Sequence, residues 1–315
     1  MNLLRVRTTG GYLLLGGILA ALLVSLPASA ANWKSMAALP VPTGYAAAES
    51  INGVIYIAGG ANGSNKNSAL QSFNPETQTW TLLASMPLTL YQGDGAGVIN
   101  GQLYVAGGWN GYLPMNTLLR YDPSTNSWTS LAGMSHLTAC GGTAVINSKL
   151  YVTTACNGYS GYANYLDVYD PSTNAWTSLP GSSSAHGSPA VGAINGKLYV
   201  AGGLDGNGNF TKAVEVFDPA TNAWTTLAPM PTAVVNAASV ALNGQLYVLG
   251  GNNGTSDVAT IQVYDPHKNK WKTLAALPAP VSGSSGVVVY GLTFMVSGDG
   301  AGTMNQYSAF APSIP

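Results

Sequence analysis

Glu49 and Asp94 are the acids of this chain best placed to do chemistry. Each stands in an innermost-strand position that other repeat units fill with small or apolar residues: Gly97, Ala144, Gly192, Val240 and Val287 are the equivalents of Glu49. Such an acid must face a water-lined channel or be buried at high cost. Paired there, the two carboxylates could exchange protons with a substrate or grip sugar hydroxyls. Of the histidines, His136 and His186 precede units three and four and His267 lies in a turn on the opposite face. Two unclustered histidines read as solvated loop residues, so no metal and no cofactor are expected. Asp205-x-Asn207-x-Asn209 has the opening of a calcium loop but carries Phe210 and Val216 where the loop needs Gly and Glu, so it is rejected. Cys140 and Cys156 are the only cysteines. They fall nearly opposite each other across the hairpin that turns at Asn147-Ser148, a geometry that suits a disulfide.

These residues sit on a repeat. Trp33, Trp80, Trp128, Trp176, Trp224 and Trp271 follow one another at intervals of 47, 48, 48, 48 and 47 residues. A period this regular signals a propeller or solenoid. The units share, with substitutions, the order of a β-rich run, an Asn-Gly pair, a second β-rich run ending in Gly-Gly, then Tyr-Asp-Pro-x-Thr-Asn-x-Trp, seen complete in Val98–Gly108 followed by Leu119–Trp128. Asn-Gly supplies the two positive φ angles of a type I′ hairpin turn. The acids Asp122, Asp170, Asp218 and Asp265 belong to turns in which Asp accepts hydrogen bonds from following backbone N–H groups, which makes them structural. Unit three carries Thr154-Ala155 in place of Gly-Gly, and the last unit has Ser297-Gly298 and no closing Trp. The N-terminal Trp33 has a fourth strand without a unit of its own. Pairing 32–36 with the strand near 304–310 would close the ring and remove the exposed edges.

The first thirty residues stand apart. Arg5 and Arg7, the apolar run Tyr12–Leu26 and the small residues Pro27–Ala30 read as a signal peptide cleaved after Ala30. That run is short of the roughly 20 residues a membrane-spanning helix needs. The expectation is a secreted or periplasmic protein without stable membrane insertion after cleavage. Residues 31–315 then form one domain, with blades near 45–83, 94–131, 141–179, 189–227, 237–274 and 284–310 plus 32–36. The mature chain has 9 basic and 12 acidic residues, a formal charge of −3, and one arginine, Arg120. Without a basic stripe it is unsuited to nucleic acid. An oxidising compartment also favours the disulfide.

Hydrophobic strand, Gly-Gly, Tyr-Asp-Pro and trailing Trp together resemble the kelch repeat, over essentially all of residues 32–310. The resemblance implies an all-β, six-bladed β-propeller of four-stranded antiparallel blades, the last closed by the N-terminal strand. It also implies partner binding through the face that carries the loops after Gly-Gly and between blades. On that face stand Tyr45, Tyr91, Trp109, Tyr112, Tyr159, Tyr162 and Phe210 among Ser, Gly and Asn. Exposed rings in such surroundings suit sugar or peptide recognition, although rings can also anchor their own loops. The expected activity is therefore non-catalytic binding of a protein, peptide or glycan by a monomer. An alternative is a sugar-acting enzyme similar to the exported sialic-acid epimerases. Against it, a carboxylate substrate calls for Arg, and Arg120 lies beside an Asp-Pro turn on the other face. A galactose-oxidase-like copper enzyme is more remote, because no Tyr–Cys signature accompanies the histidines.

Overall fold

The computed structural model describes residues 33–91, 95–156, 161–296 and 298, and the backbone of 307–310. Residues 1–30, read as a signal peptide, lie outside them, as do Asp94 and Tyr159. Among the described residues the regular secondary structure is all β. Blades 1 to 5 are four-stranded antiparallel sheets, each built from one continuous stretch. Blade 1 runs from its innermost strand Ala47–Ile51 through Val54–Ala58 and Leu70–Asn74 to Thr79–Leu83. The innermost strands of blades 2 to 5 are Gly95–Ile99, Gly142–Ile146, Ala190–Ile194 and Ala238–Leu242. A further sheet draws on both ends of the chain: Ser285–Val289, Leu292–Val296 and Tyr307–Phe310 are completed on the outside by Lys34–Ser35. In this closing sheet Lys34 pairs with Ala309 and Ser35 with Ser308. The innermost strands abut one another in a closed ring.

The core lies between sheets. Every hydrophobic cluster joins two neighbours, such as Tyr56 and Leu70 of blade 1 with Leu103 and Tyr121 of blade 2. The repeated tryptophan has two tasks in this packing. Trp128 packs 5.2 Å from Tyr121, centroid to centroid. Its Nε1–H also donates to the carbonyl of Ala84 on the segment leaving blade 1, at 2.7 Å. Trp176, Trp224 and Trp271 repeat both contacts one blade further on. The Asp-Pro turns are structural: Asp122 Oδ1 accepts the Ser124 N–H at 2.9 Å, and Asp170, Asp218 and Asp265 do likewise.

The double glycine marks a crossing point. A Cβ on Gly59 would collide with the carbonyl of Leu90, where the segment entering blade 2 passes over it. A Cβ on Gly203 would collide with the carbonyl of Gly187 from its own blade's lead-in. Blade 3, with Thr154-Ala155 at this point, does not turn. Its second and third strands lengthen to Lys149–Cys156 and Tyr162–Asp170, with a register shift between Thr154 and Cys156. The result is a longer strand pair, tied to the lead-in by the Cys140–Cys156 disulfide, with Cα atoms 5.8 Å apart.

Candidate functional site

The loop face is organised around the mouth of the central channel. Tyr45, Cys140, Ser188, Asn236 and Gly283, at the approach to successive inner strands, all adopt left-handed backbone conformations. They are linked from blade to blade. Tyr45 N–H donates to Gly283 O at 2.8 Å, Gly283 to Asn236 at 2.9 Å, Asn236 to Ser188 at 3.2 Å and Ser188 to Cys140 at 2.6 Å. Below this girdle lies a cavity of about 430 Å³ walled by the inner strands. Small residues dominate the wall because bulk would meet the next blade: a Cβ on Gly97 would press on Val145 and Leu150.

Glu49 lines this cavity, half-buried, as its position on the innermost strand predicts. Among the described residues its carboxylate accepts one hydrogen bond, from the Ser50 N–H at 3.1 Å. Burial pushes its pKa up to about 7, and the Ser50 hydrogen bond offsets the shift only in part. Tyr45 stands at the rim with its ring over Gly283.

The remaining aromatic candidates lie further out and do different things. Tyr91 and Trp109 exchange two backbone hydrogen bonds, of 3.1 and 2.8 Å, and the Lys66 ammonium sits 5.3 Å from the Tyr91 ring centroid. Tyr112 projects from a turn in which Asn110 Oδ1 accepts the N–H groups of Tyr112 and Leu113, and it is 86% exposed. Tyr162 and Phe210 instead lean on the blade that follows, over Gly187 and Gly254 respectively. Phe210 remains 39% exposed. Tyr165 escaped sequence reasoning. It is 43% exposed and stacks on the His136 ring at 4.0 Å. Its one signal was comparative, since Ala69, Thr117, Ala213 and Thr260 hold the same place in other units. Leu113 and Leu137 add exposed apolar surface in the same sector.

The expectation that His136 and His186 are solvated loop residues is corrected. His186 is only 4% exposed. Its Nε2 lies 3.0 Å from Glu215 Oε2 and its Nδ1 2.8 Å from the Gly202 carbonyl. Burial opposes ionisation of Glu215, but hydrogen bonds from His186 and Ser183 prevail and hold its pKa at about 2. His136 Nδ1 meets the fully buried Asp167 at 2.8 Å, and Ser178 Oγ donates to the other oxygen at 2.6 Å. Both acids occupy one place in the repeat, three residues before the Asp of the Asp-Pro turn and in the third strand. There Gln71 and Gln262 clamp the backbone of Val41 and Thr232 in blades 1 and 5. The shared task is to pin the segment leading into the blade. Sequence reading missed it because the partners lie about 30 residues apart. Among the described residues no cluster of three or more His, Cys, Asp or Glu could hold a metal ion.

Comparison with known proteins agrees with the repeat. The family described as KLHDC2/KLHL20/DRC7 Kelch-repeats domain matches residues 141–313, and the Kelch motif matches 42–87 and 95–135. A solved structure titled "Structure of YjhT" superposes with a TM-score of 0.74 at 24% identity, covering 87% of this chain and 95% of that one. A likeness at that identity speaks to the fold. No curated protein sequence matches the chain. Repeat signature, blade construction and family match converge, and the chain belongs to the kelch-repeat family.

Proposed function

We propose that this protein is an exported, monomeric binding module that recognises a protein, peptide or glycan through its loop face. In this reading the closing sheet is the sixth blade, residues 1–30 are removed after Ala30, and the mature protein works in the periplasm or outside the cell. The Cys140–Cys156 disulfide fits such a compartment. The observation that carries the binding assignment is the concentration of exposed apolar side chains over blades 2 to 4: Tyr112, Leu113, Leu137, Tyr165 and Phe210. They sit on loops and a strand end fixed by backbone hydrogen bonds, so little order is lost on binding. Residues 31–315 screened on a glycan array and a peptide library should yield a ligand whose binding is lost when Tyr112, Trp109 and Tyr162 are changed to Ala. Binding that survives those changes, and is abolished by changes at the Asn-Gly turns, would place the site on the other face.

A second reading, acid–base chemistry on a sugar, is favoured by one observation. Glu49 has a pKa near 7 inside a cavity large enough for a small carbohydrate, which is where a proton-transfer group works best at neutral pH. Epimerisation or mutarotation of a bound sugar that Glu49→Gln abolishes would establish it. A glycan that binds unchanged, without turnover, leaves the binding module.

A further inference from the structure

Four blades pin their lead-in segments from the same place in the third strand, and the four pins differ in what they need from a proton. Gln71 and Gln262 each accept a backbone N–H and donate to a backbone carbonyl, so their pins do not titrate. In blade 3, His136 uses only Nδ1 against Asp167, and a neutral ring with its proton on Nδ1 keeps that bond. Blade 4 is different. His186 Nδ1 faces the carbonyl of Gly202, which can only accept, and Nε2 faces Glu215 Oε2. Glu215 already accepts the N–H groups of Ser183 at 2.9 Å and Ser184 at 3.4 Å. The Ser184 hydroxyl reaches both Glu215 Oε2 and His186 Nε2 only at 3.4 Å, too long to replace the ring proton between them. Both acceptors on the imidazole are satisfied only if the pair holds a proton beyond the one that neutral histidine carries. Removing it sets a ring lone pair against a buried carboxylate.

We propose that the His186–Glu215 pair is a proton-dependent latch, holding the lead-in to blade 4 closed while protonated and releasing it as pH rises. The consequence reaches the loop face because the latched segment runs straight into it. Gly187 supports the Tyr162 ring, and Ser188 bonds both Cys140 and Asn236 in the girdle. Among the described groups on packed elements, Asp205 and Lys212 of blade 4's own loop carry charge and Tyr162 carries a phenol. None of them forms a hydrogen bond or ion pair with His186 or Glu215, so the extra proton belongs to the pair itself. The latch stands on these contacts, whatever ligand the face takes.

The test uses the mature protein and no ligand. With three histidines in the chain, the imidazole ¹⁵N signals are readily assigned. Both His186 nitrogens should be protonated at pH 6. As pH rises to 9, amide protection of 183–188, corrected for intrinsic exchange, should fall at least tenfold relative to 232–236, which Gln262 pins. Glu215→Gln should abolish that difference. Should this variant fold poorly, His186→Val with Glu215→Gln copies the Val234 and Gln262 arrangement of blade 5 and serves instead. A neutral His186 at pH 6 overturns the proposal, as does pH-dependent loosening that is equal in both segments or persists in the variants.

Discussion

At the scale of single residues, Glu49 gives a measurable signature. Its pKa near 7 lies above the ordinary 4.5, so the folded protein holds a proton that the unfolded chain releases between these values. The contribution to stability is therefore complete below pH 4.5 and is lost as pH rises through 7. Wild type should lose about 1–3 kcal/mol relative to Glu49→Gln between pH 5 and 8, read as the difference in urea midpoints. Glu215 has the opposite sign. Its depressed pKa stabilises the fold above 4.5, and that contribution disappears as pH falls toward 2, so Glu215→Gln should flatten the acid limb of the stability curve. For ligand binding, Tyr112→Ala should weaken affinity by about 1–3 kcal/mol without lowering the melting temperature, because the ring is solvated in the free protein. Tyr162→Ala should lower both, since its ring rests on Gly187.

At the scale of elements, the turns and strands follow local rules that a single sequence displays. The first-hairpin turns place Asn52, Asn100, Asn147, Asn195 and Asn243 at φ near 50°, where Asn is tolerated. Tyr290 takes the same conformation in the closing sheet, at φ 50°, with its ring over Gly53 and 71% exposed. A bulky residue pays for a left-handed backbone, so Tyr290→Asn should raise stability by about 0.5–1 kcal/mol, measured by chemical denaturation. The strand order, the Asn-Gly and Asp-Pro turns and the Cys140–Cys156 pairing were all legible because each depends on neighbours within one repeat. The lengthened strand pair of blade 3 was legible only as a missing Gly-Gly, since what replaces a turn depends on the segments that would have crossed it. The pins of the lead-in segments were not legible at all. His136 and Asp167 are joined across 31 residues by the path of the chain between blades, and nothing local distinguishes them from solvated side chains.

At the scale of the whole molecule, closure depends on a short segment near the N-terminus. Lys34–Ser35 supplies only two residues of strand, too little to hold the closing sheet by backbone pairing alone. The flanking side chains complete the junction. Trp33 packs with the cluster between blade 5 and the closing sheet, while Leu39, 4% exposed, packs with Ile55 and Phe73 of blade 1. Between them the Ala37 carbonyl accepts the Trp80 Nε1–H at 3.1 Å. The segment thus acts as a strap across a junction between distant parts of the chain. Leu39→Ala leaves the strand pairing intact and removes a buried anchor, which should cost about 2–5 kcal/mol. Deleting 31–37 should do something different in kind: it uncovers the outer edge of Tyr307–Phe310 as an unpaired strand, a template for intermolecular pairing. The expected result is concentration-dependent association by light scattering, with blades 1 to 5 retaining their far-ultraviolet spectrum, while Leu39→Ala stays monomeric and merely melts earlier. A deletion variant that remains monomeric at the wild-type melting temperature would show that the ring closes without the strap.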